Sequence, residues 1–336
     1  MSATAPQNAP SAKHLIIKLS SLGDVIHALP IVADIKKHRP DVQLDWVTEA
    51  PYLDLLQLHT GIAQRFSVSL RQLKKQPFSF ANWRKLMQQR SAIAQGSYAG
   101  VLDCQGLLKS AWVGGWNAAP LAGLGLATAR EPMAARFYNQ RFEVPLNLHA
   151  VERNRQLAAA AFGYTLANDE APNYGLLAPP SNAVNQSYIV FLHATSRADK
   201  CWPEASWITL AQALQQRGYT IVLPWGSEAE HARSLRLYSA LAATQALVPA
   251  RMQLGAAASL LQGASAVVGV DTGLAHLAVA LARPTVGLYL STQPALTGLY
   301  PQSARVVNLG GGSRAAPTVL PVTIVEATVL QVLAQC

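Results

Sequence analysis

Ser20, Ser21, Gly23 and Asp24 stand close together in KLSSLGDVIHALP, residues 18–30, directly after the apolar run HLIIKL. Gly23 permits a tight turn, and the two hydroxyls can donate hydrogen bonds. A carboxylate delivered this way suits two tasks. At a helix N-terminus it accepts free N–H groups; in a cleft it takes a proton from a reacting hydroxyl. Spacing alone leaves both open. Pro30 implies that the following helix starts properly only near Leu29, or kinks there. An irregular start of that kind would leave Asp24 exposed.

Two further segments pair an apolar strand with polar residues at its end. In HATSRADKCWP (193–203), Thr195, Ser196 and Lys200 suit the cradling of a phosphate, Lys200 as a point charge. A plain polar loop is the alternative. In VGVDTGLAHLA (268–278), Asp271, Thr272 and Gly273 meet a helix start, with His276 one turn later. The N–H groups and dipole of that helix favour a diphosphate, although the same residues also make a simple capping turn. No GxxxxGK[ST] loop, GxSxG elbow, HExxH or CxxC pair occurs, and GLGLAT (123–128) shows no strand before it. No Asp-x-Asp pair is present to clamp a metal on a sugar nucleotide. Cationic side chains and helix termini must then stabilise any departing diphosphate.

The elements that position these residues alternate. HLIIKL, VQLDWV (42–47) and GVLDCQG (100–106) have strand character, and HAVERNRQLAAAAFGY (149–164) is an amphipathic helix with glycine near its end. The alternation restarts with the strand YIVFLHATS (188–196) and the helix EASWITLAQALQQRG (204–218). It continues with the strand YTIVLPWG (219–226), helices from Glu228 to Ala243 and Leu254 to Gln262, the strand AVVGV (266–270), the helix GLAHLAVALA (273–282) and the strand TVGLYL (285–290). Such a pattern predicts an α/β protein with two Rossmann-like, doubly wound domains facing a cleft, ligands lying at the carboxyl ends of the strands. The expected boundaries are a disordered leader at 1–12, an N-terminal domain at 13–170, a linker at 171–186 and a C-terminal domain at 187–336.

The 336 residues suit two domains. Half are hydrophobic, 13% are charged, and the net charge is +9. Basic residues gather in 71–90, with Arg130, Arg136 and Arg141 beyond. This is either a solvated face or a surface for an anionic partner. No zinc-finger, helix-turn-helix or RNA-recognition pattern accompanies it, so nucleic acid is not expected. No apolar run reaches the roughly 18–20 residues that span a bilayer. The leader lacks an apolar signal core, and three scattered cysteines suit a reducing compartment, so a cytoplasmic location is expected.

Seven ordered segments, KLSSLGDVIHALP, DCQGLLKSA, AREPMAARFYNQ, HAVERNRQL, HATSRADKCWP, PWGSEAE and VDTGLAHLAVAL, resemble the ADP-heptose:lipopolysaccharide heptosyltransferases. Their order and spacing are most similar to those of the members that add the first heptose. The resemblance implies a GT-B glycosyltransferase fold, with an acceptor-binding N-terminal and an ADP-heptose-binding C-terminal domain. It implies inverting, metal-independent transfer of L-glycero-D-manno-heptose to the 5-hydroxyl of Kdo in Kdo2-lipid A. Carried over by position, Asp24 corresponds to the general base, and Thr195, Ser196 and Lys200 to the diphosphate contacts, with Lys200 also catalytic. Ser20 and Ser21 join the donor set. Glu230 corresponds to an acid holding donor hydroxyls, Met252 to the adenine pocket, and Asp271, Thr272, Gly273 and His276 to heptose and phosphate contacts. Arg71, Lys74, Lys75 and Arg130 correspond to the acceptor side, where Gln72 replaces an expected arginine. The resemblance further implies no cofactor and a peripheral position at the cytoplasmic face of the bacterial inner membrane. The competing readings are addition of the second heptose, a sugar-nucleotide epimerase of the same fold and a non-catalytic anion-binding protein.

Overall fold

The computed structural model describes residues 12–167, 170–180, 184–195 and 197–335. Contacts divide the chain into two compact units between Gly175 and Leu176. The first holds β1 (Lys13–Ile17), β2 (Gln43–Glu49), β3 (Arg65–Val68), β4 (Gly100–Asp103), β5 (Leu121–Leu124) and β6 (Gln140–Phe142). The second holds β7 (Tyr188–Leu192), β8 (Thr220–Val222), β9 (Ala246–Leu247), β10 (Ala266–Val270), β11 (Thr285–Tyr289) and β12 (Val306–Gly310). Among the described residues these strands form two six-stranded sheets, ordered β3-β2-β1-β4-β5-β6 and β12-β11-β10-β7-β8-β9. Every pairing is parallel. The two sheets therefore share one topology, with the strand order reversing between β1 and β4 and between β7 and β10.

Helices cover the faces of parallel strands, so those strands are apolar along their length rather than alternating. β7 and β10, YIVFL and AVVGV, are buried at every position. In the first unit the helix Ala150–Phe162 packs on the helices Leu22–Ala28 and Pro30–His38. Arg155 donates to Asp34 through Nε at 2.8 Å and Nη2 at 3.0 Å, a buried two-pronged pair that fixes this packing. Gly163 ends the helix at φ 69°, a left-handed value that suits a residue without Cβ. In the second unit Phe191, Trp202, Trp207 and Leu210 meet Val325 and Val329 of the helix Val322–Leu333 in one core.

Several expectations need correction. The helix after β1 begins at Leu22 and runs regularly to Ala28, and a second starts with Pro30 as its first residue. Proline is tolerated at that position because its missing N–H would have had no partner there. Asp24 thus lies in the first turn of a regular helix, not in an irregular start. The helix expected from Glu228 to Ala243 stops at Ser239. GLGLAT begins within β5, and a Cβ on Gly123 would meet the Tyr138 ring at 2.4 Å. Its glycine serves close packing.

Candidate functional site

In the first unit the motif residues gather where the strand order reverses, the place at which doubly wound sheets hold ligands. The chain leaves β1 through Lys18, Leu19, Ser20 and Ser21 and enters the helix Leu22–Ala28. Asp24 Oδ2 accepts from the Ser21 N–H at 2.8 Å and the Ser21 hydroxyl at 2.9 Å. The carboxylate is half-buried and its other oxygen is not used in these bonds.

The loop is held by Gln105, which follows β4. Its Oε1 accepts from the Leu19 and Ser20 N–H groups at 2.9 and 3.1 Å, and its Nε2 donates to Ser20 O at 2.5 Å. Gln105 is fixed in turn by Asp103, whose carboxylate accepts from the Gln105 and Gly106 N–H groups, the Ser110 hydroxyl and the Tyr138 hydroxyl. Burial pushes the Asp103 pKa up, and those four donors oppose the shift.

Two lysines converge on the same loop. Lys109 donates to Ser20 Oγ at 3.0 Å. Lys18 is buried and donates to Cys104 O at 2.6 Å. Burial lowers its pKa, the Asp24 charge chiefly opposing that, and the nearby Arg130 charge adding to it. The backbone at Arg130 and Glu131 lies against Gly106, next to Gln105. Arg71, Lys74 and Lys75 are exposed on the helix Leu70–Lys75, which follows β3 at the sheet edge. Arg71 donates to the Tyr52 hydroxyl at 3.0 Å and lies 5.6 Å from that ring's centre.

The second unit repeats the arrangement at its own reversal. Lys200 Nζ lies 2.6 Å from Asp271 Oδ2, joining the segment after β7 to the one after β10. Thr195 Oγ1 donates to Asp271 O at 3.1 Å, and Thr292 Oγ1, beyond β11, donates to Asp271 Oδ2 at 3.0 Å. Thr272 precedes the helix Gly273–Ala280, so the first N–H groups of that helix open beside this pair. His276 is buried one turn into it. Glu230 Oε2 accepts from the Gly226 N–H at 2.7 Å in the first turn of the helix Glu228–Ser239. Met252 is half-buried just before the helix Leu254–Gly263. Ser196 lies outside the described residues.

The structure thus joins Ser20, Ser21 and Asp24 with Arg130 in one unit and Thr195, Lys200, Asp271 and Thr272 in the other. Lys18, Gln105, Lys109 and Thr292 are additions that no strand-end motif singled out, although Lys18, Gln105 and Lys109 sit inside or beside the quoted segments. Among the described residues no group of three or more His, Cys, Asp or Glu side chains is arranged to hold a metal. No helix among them is long and apolar enough to cross a membrane.

The profile of glycosyltransferase family 9 (heptosyltransferase) matches residues 83–320. The chain is 42% identical over 311 residues to lipopolysaccharide heptosyltransferase 1 of Pseudomonas aeruginosa, covering 90% of this chain and 85% of that one. It is 38% identical over 297 residues to lipopolysaccharide heptosyltransferase 1 of Escherichia coli K12, covering 87% and 92%. Lipopolysaccharide heptosyltransferase 2 of the same strain matches over 114 residues at 35% identity, 33% of this chain and 32% of that one. Among solved structures, E. coli heptosyltransferase WaaC with ADP superposes with a TM-score of 0.87 at 35% identity, covering 95% and 99%. The likeness bears out the GT-B-type α/β fold expected from the sequence.

Proposed function

The chain belongs to glycosyltransferase family 9, the heptosyltransferases, and on that premise we propose that it moves L-glycero-D-manno-heptose from ADP-heptose to the 5-hydroxyl of Kdo in Kdo2-lipid A. One observation carries the site assignment. In each unit the motif residues converge where the strand order reverses, Asp24 with Gln105 and Lys109 in one, Lys200 with Asp271 in the other. The whole-chain likeness to heptosyltransferase 1 proteins, against a 114-residue match to heptosyltransferase 2, supports the first-heptose acceptor. A solved structure of E. coli WaaC with ADP-2-deoxy-2-fluoro heptose, at 34% identity, a TM-score of 0.84 and covering 95% of this chain and 99% of that one, supports the donor.

In this mechanism Asp24 takes the proton of the Kdo 5-hydroxyl as that oxygen attacks the heptose anomeric carbon. The bond from the anomeric carbon to the diphosphate oxygen breaks on the opposite face, so configuration inverts. Ser21 holds the carboxylate by one oxygen, which aims the other. ADP leaves with the electron pair, and a diphosphate needs charge stabilisation more than a proton. Lys200 and the N–H groups at the start of the helix Gly273–Ala280 supply it, Asp271, itself held by the Thr292 hydroxyl, keeping Lys200 in place. Thr195, Ser196 and Thr272 complete the diphosphate cradle, Met252 borders adenine, and Glu230 and His276 face the sugar. No metal or other cofactor enters the scheme.

The acceptor domain spans 13–170 and the donor domain 187–336, joined by 171–186. Arg71, Lys74, Lys75 and Arg130 receive the acidic groups of Kdo and lipid A. Phe78 and Phe80, 98% and 81% exposed beside that basic helix, suit peripheral contact with the cytoplasmic face of the inner membrane. Incubation with ADP-heptose and Kdo2-lipid A tests the proposal. It predicts a product one heptose heavier, and transfer only to an acceptor already bearing heptose would overturn the choice of acceptor.

A further inference from the structure

The peptide group between Ser20 and Ser21 is hydrogen-bonded at both of its polar atoms, and its two partners are Gln105 and Asp24. Gln105 Nε2 donates to Ser20 O at 2.5 Å. The N–H of that same group, carried by Ser21, donates to Asp24 Oδ2 at 2.8 Å. A donor on a carbonyl polarises the peptide group, so each bond strengthens the other. The side-chain amide that follows β4 is therefore one peptide unit away from the Asp24 carboxylate.

The Gln105 amide fits this place one way round. Its Oε1 accepts from the Leu19 and Ser20 N–H groups at 2.9 and 3.1 Å, which turns Nε2 to the Ser20 carbonyl. Gln105 and Ser20 are both buried, so water does not readily replace these bonds. The neighbouring groups of the loop have other holders. Leu19 O accepts from the Glu49 N–H at 3.0 Å and the Thr48 hydroxyl at 3.3 Å, and Ser20 Oγ accepts from Lys109 at 3.0 Å. Among the described residues the Ser20 carbonyl accepts from Gln105 alone. Loss of the amide would leave the loop held at those other points and free the peptide group that meets Asp24.

We infer that Gln105 is a positioning residue for the transfer reaction, its amide fixing the Ser20–Ser21 peptide group and through it the direction in which Asp24 faces the acceptor hydroxyl. Gln105 does not itself touch the reacting atoms. Misplacing a reacting group by about 1 Å can cost ~10²-fold in rate, whereas affinity for either substrate depends on other residues. The inference rests on the reading of Asp24 as the base under Proposed function, and adds what aims it.

The test uses the full-length enzyme with ADP-heptose and Kdo2-lipid A, read as the single-turnover rate at saturation and the KM of each substrate. Gln105→Met keeps the length and removes both polar atoms. Its rate should fall at least tenfold, with both KM values within twofold of wild type. Gln105→Glu, assayed at about pH 8, well above the carboxylate range, still accepts from the Leu19 and Ser20 N–H groups but cannot donate to Ser20 O. Its rate should also fall at least tenfold, with a melting temperature closer to wild type than that of Gln105→Met. In an Asp24→Asn background Gln105→Met should add less than twofold, because no base is left to aim. A wild-type rate in either variant, a full tenfold loss added to that of Asp24→Asn, or a loss seen only as raised KM values would overturn the inference. So would failure of both variants to fold, which marks a purely structural amide. A near wild-type rate in Asp24→Asn alone would instead sink the reading of Asp24 as the base.

Discussion

Lys200 and Asp271 meet at 2.6 Å although 71 residues separate them, because β7 and β10 are neighbours and each delivers one partner at its carboxyl end. An ammonium held by one carboxylate, itself held by the Thr292 hydroxyl, is aimed before any anion arrives.

If Lys200 stabilises the departing diphosphate, Lys200→Ala should lose both donor affinity and turnover. Removal of one such group costs ~10²–10³-fold in kcat. EDTA should leave the wild-type rate unchanged. Complete inactivation by EDTA, restored by magnesium, would assign the charge stabilisation to a metal instead.

On the acceptor side, Arg71→Ala combined with Lys75→Ala should raise the Kdo2-lipid A KM at least tenfold with little change for ADP-heptose. Each charge-assisted contact is worth roughly 1.5–3 kcal/mol, reduced for these exposed groups by salt screening. Wild-type acceptor binding should weaken as salt rises, and the double variant should show a shallower slope. Unchanged kinetics would return the helix Leu70–Lys75 to a solvated face.

Stability should fall on mild acidification, and one buried histidine in each unit gives the reason. Burial pulls His59 and His193 from the usual value near 6.5 down to about 4. Each prefers to be neutral when folded, so its contribution is full above about pH 6.5 and is lost as pH falls toward 4. For groups this buried the contribution is on the order of 3 kcal/mol. The melting temperature should therefore drop between pH 6.5 and 4. His193→Gln, whose amide reaches the Nε2 position and can still bond the Ser234 hydroxyl that His193 Nε2 meets at 2.9 Å, should flatten the decline. An unchanged slope would show that another group sets it.

The strands that carry the site were legible because parallel strands buried on both faces are long apolar runs, as in YIVFL and AVVGV. β3, β5 and β6 were not, being three or four residues long, with Arg65, Gly123 and Arg141 interrupting the pattern. The strand β12 and the helix Val322–Leu333 lie beyond the alternating segments that the sequence pattern marks. Asp24, Lys200 and Asp271 were visible as polar residues placed just after strands. Gln105, Lys109 and Glu49 were not, because their importance comes from contacts with Ser20 and Leu19, residues far away in sequence. The break at Leu29 was legible from Pro30, while the regular turn around Asp24 that precedes it was not.

Whether Asp24 is a base or only the carboxylate that Ser21 grips is decided by the single-turnover rate of Asp24→Asn with both substrates saturating. Asparagine still offers an oxygen to the Ser21 N–H, so the fold should survive with a loss within ~1 kcal/mol from the helix dipole. The rate should fall ~10²–10⁴-fold, the usual worth of general-base catalysis, with the melting temperature close to wild type. A folded Asp24→Asn enzyme that transfers heptose at nearly the wild-type rate would contradict the account and leave Asp24 a helix-terminal residue.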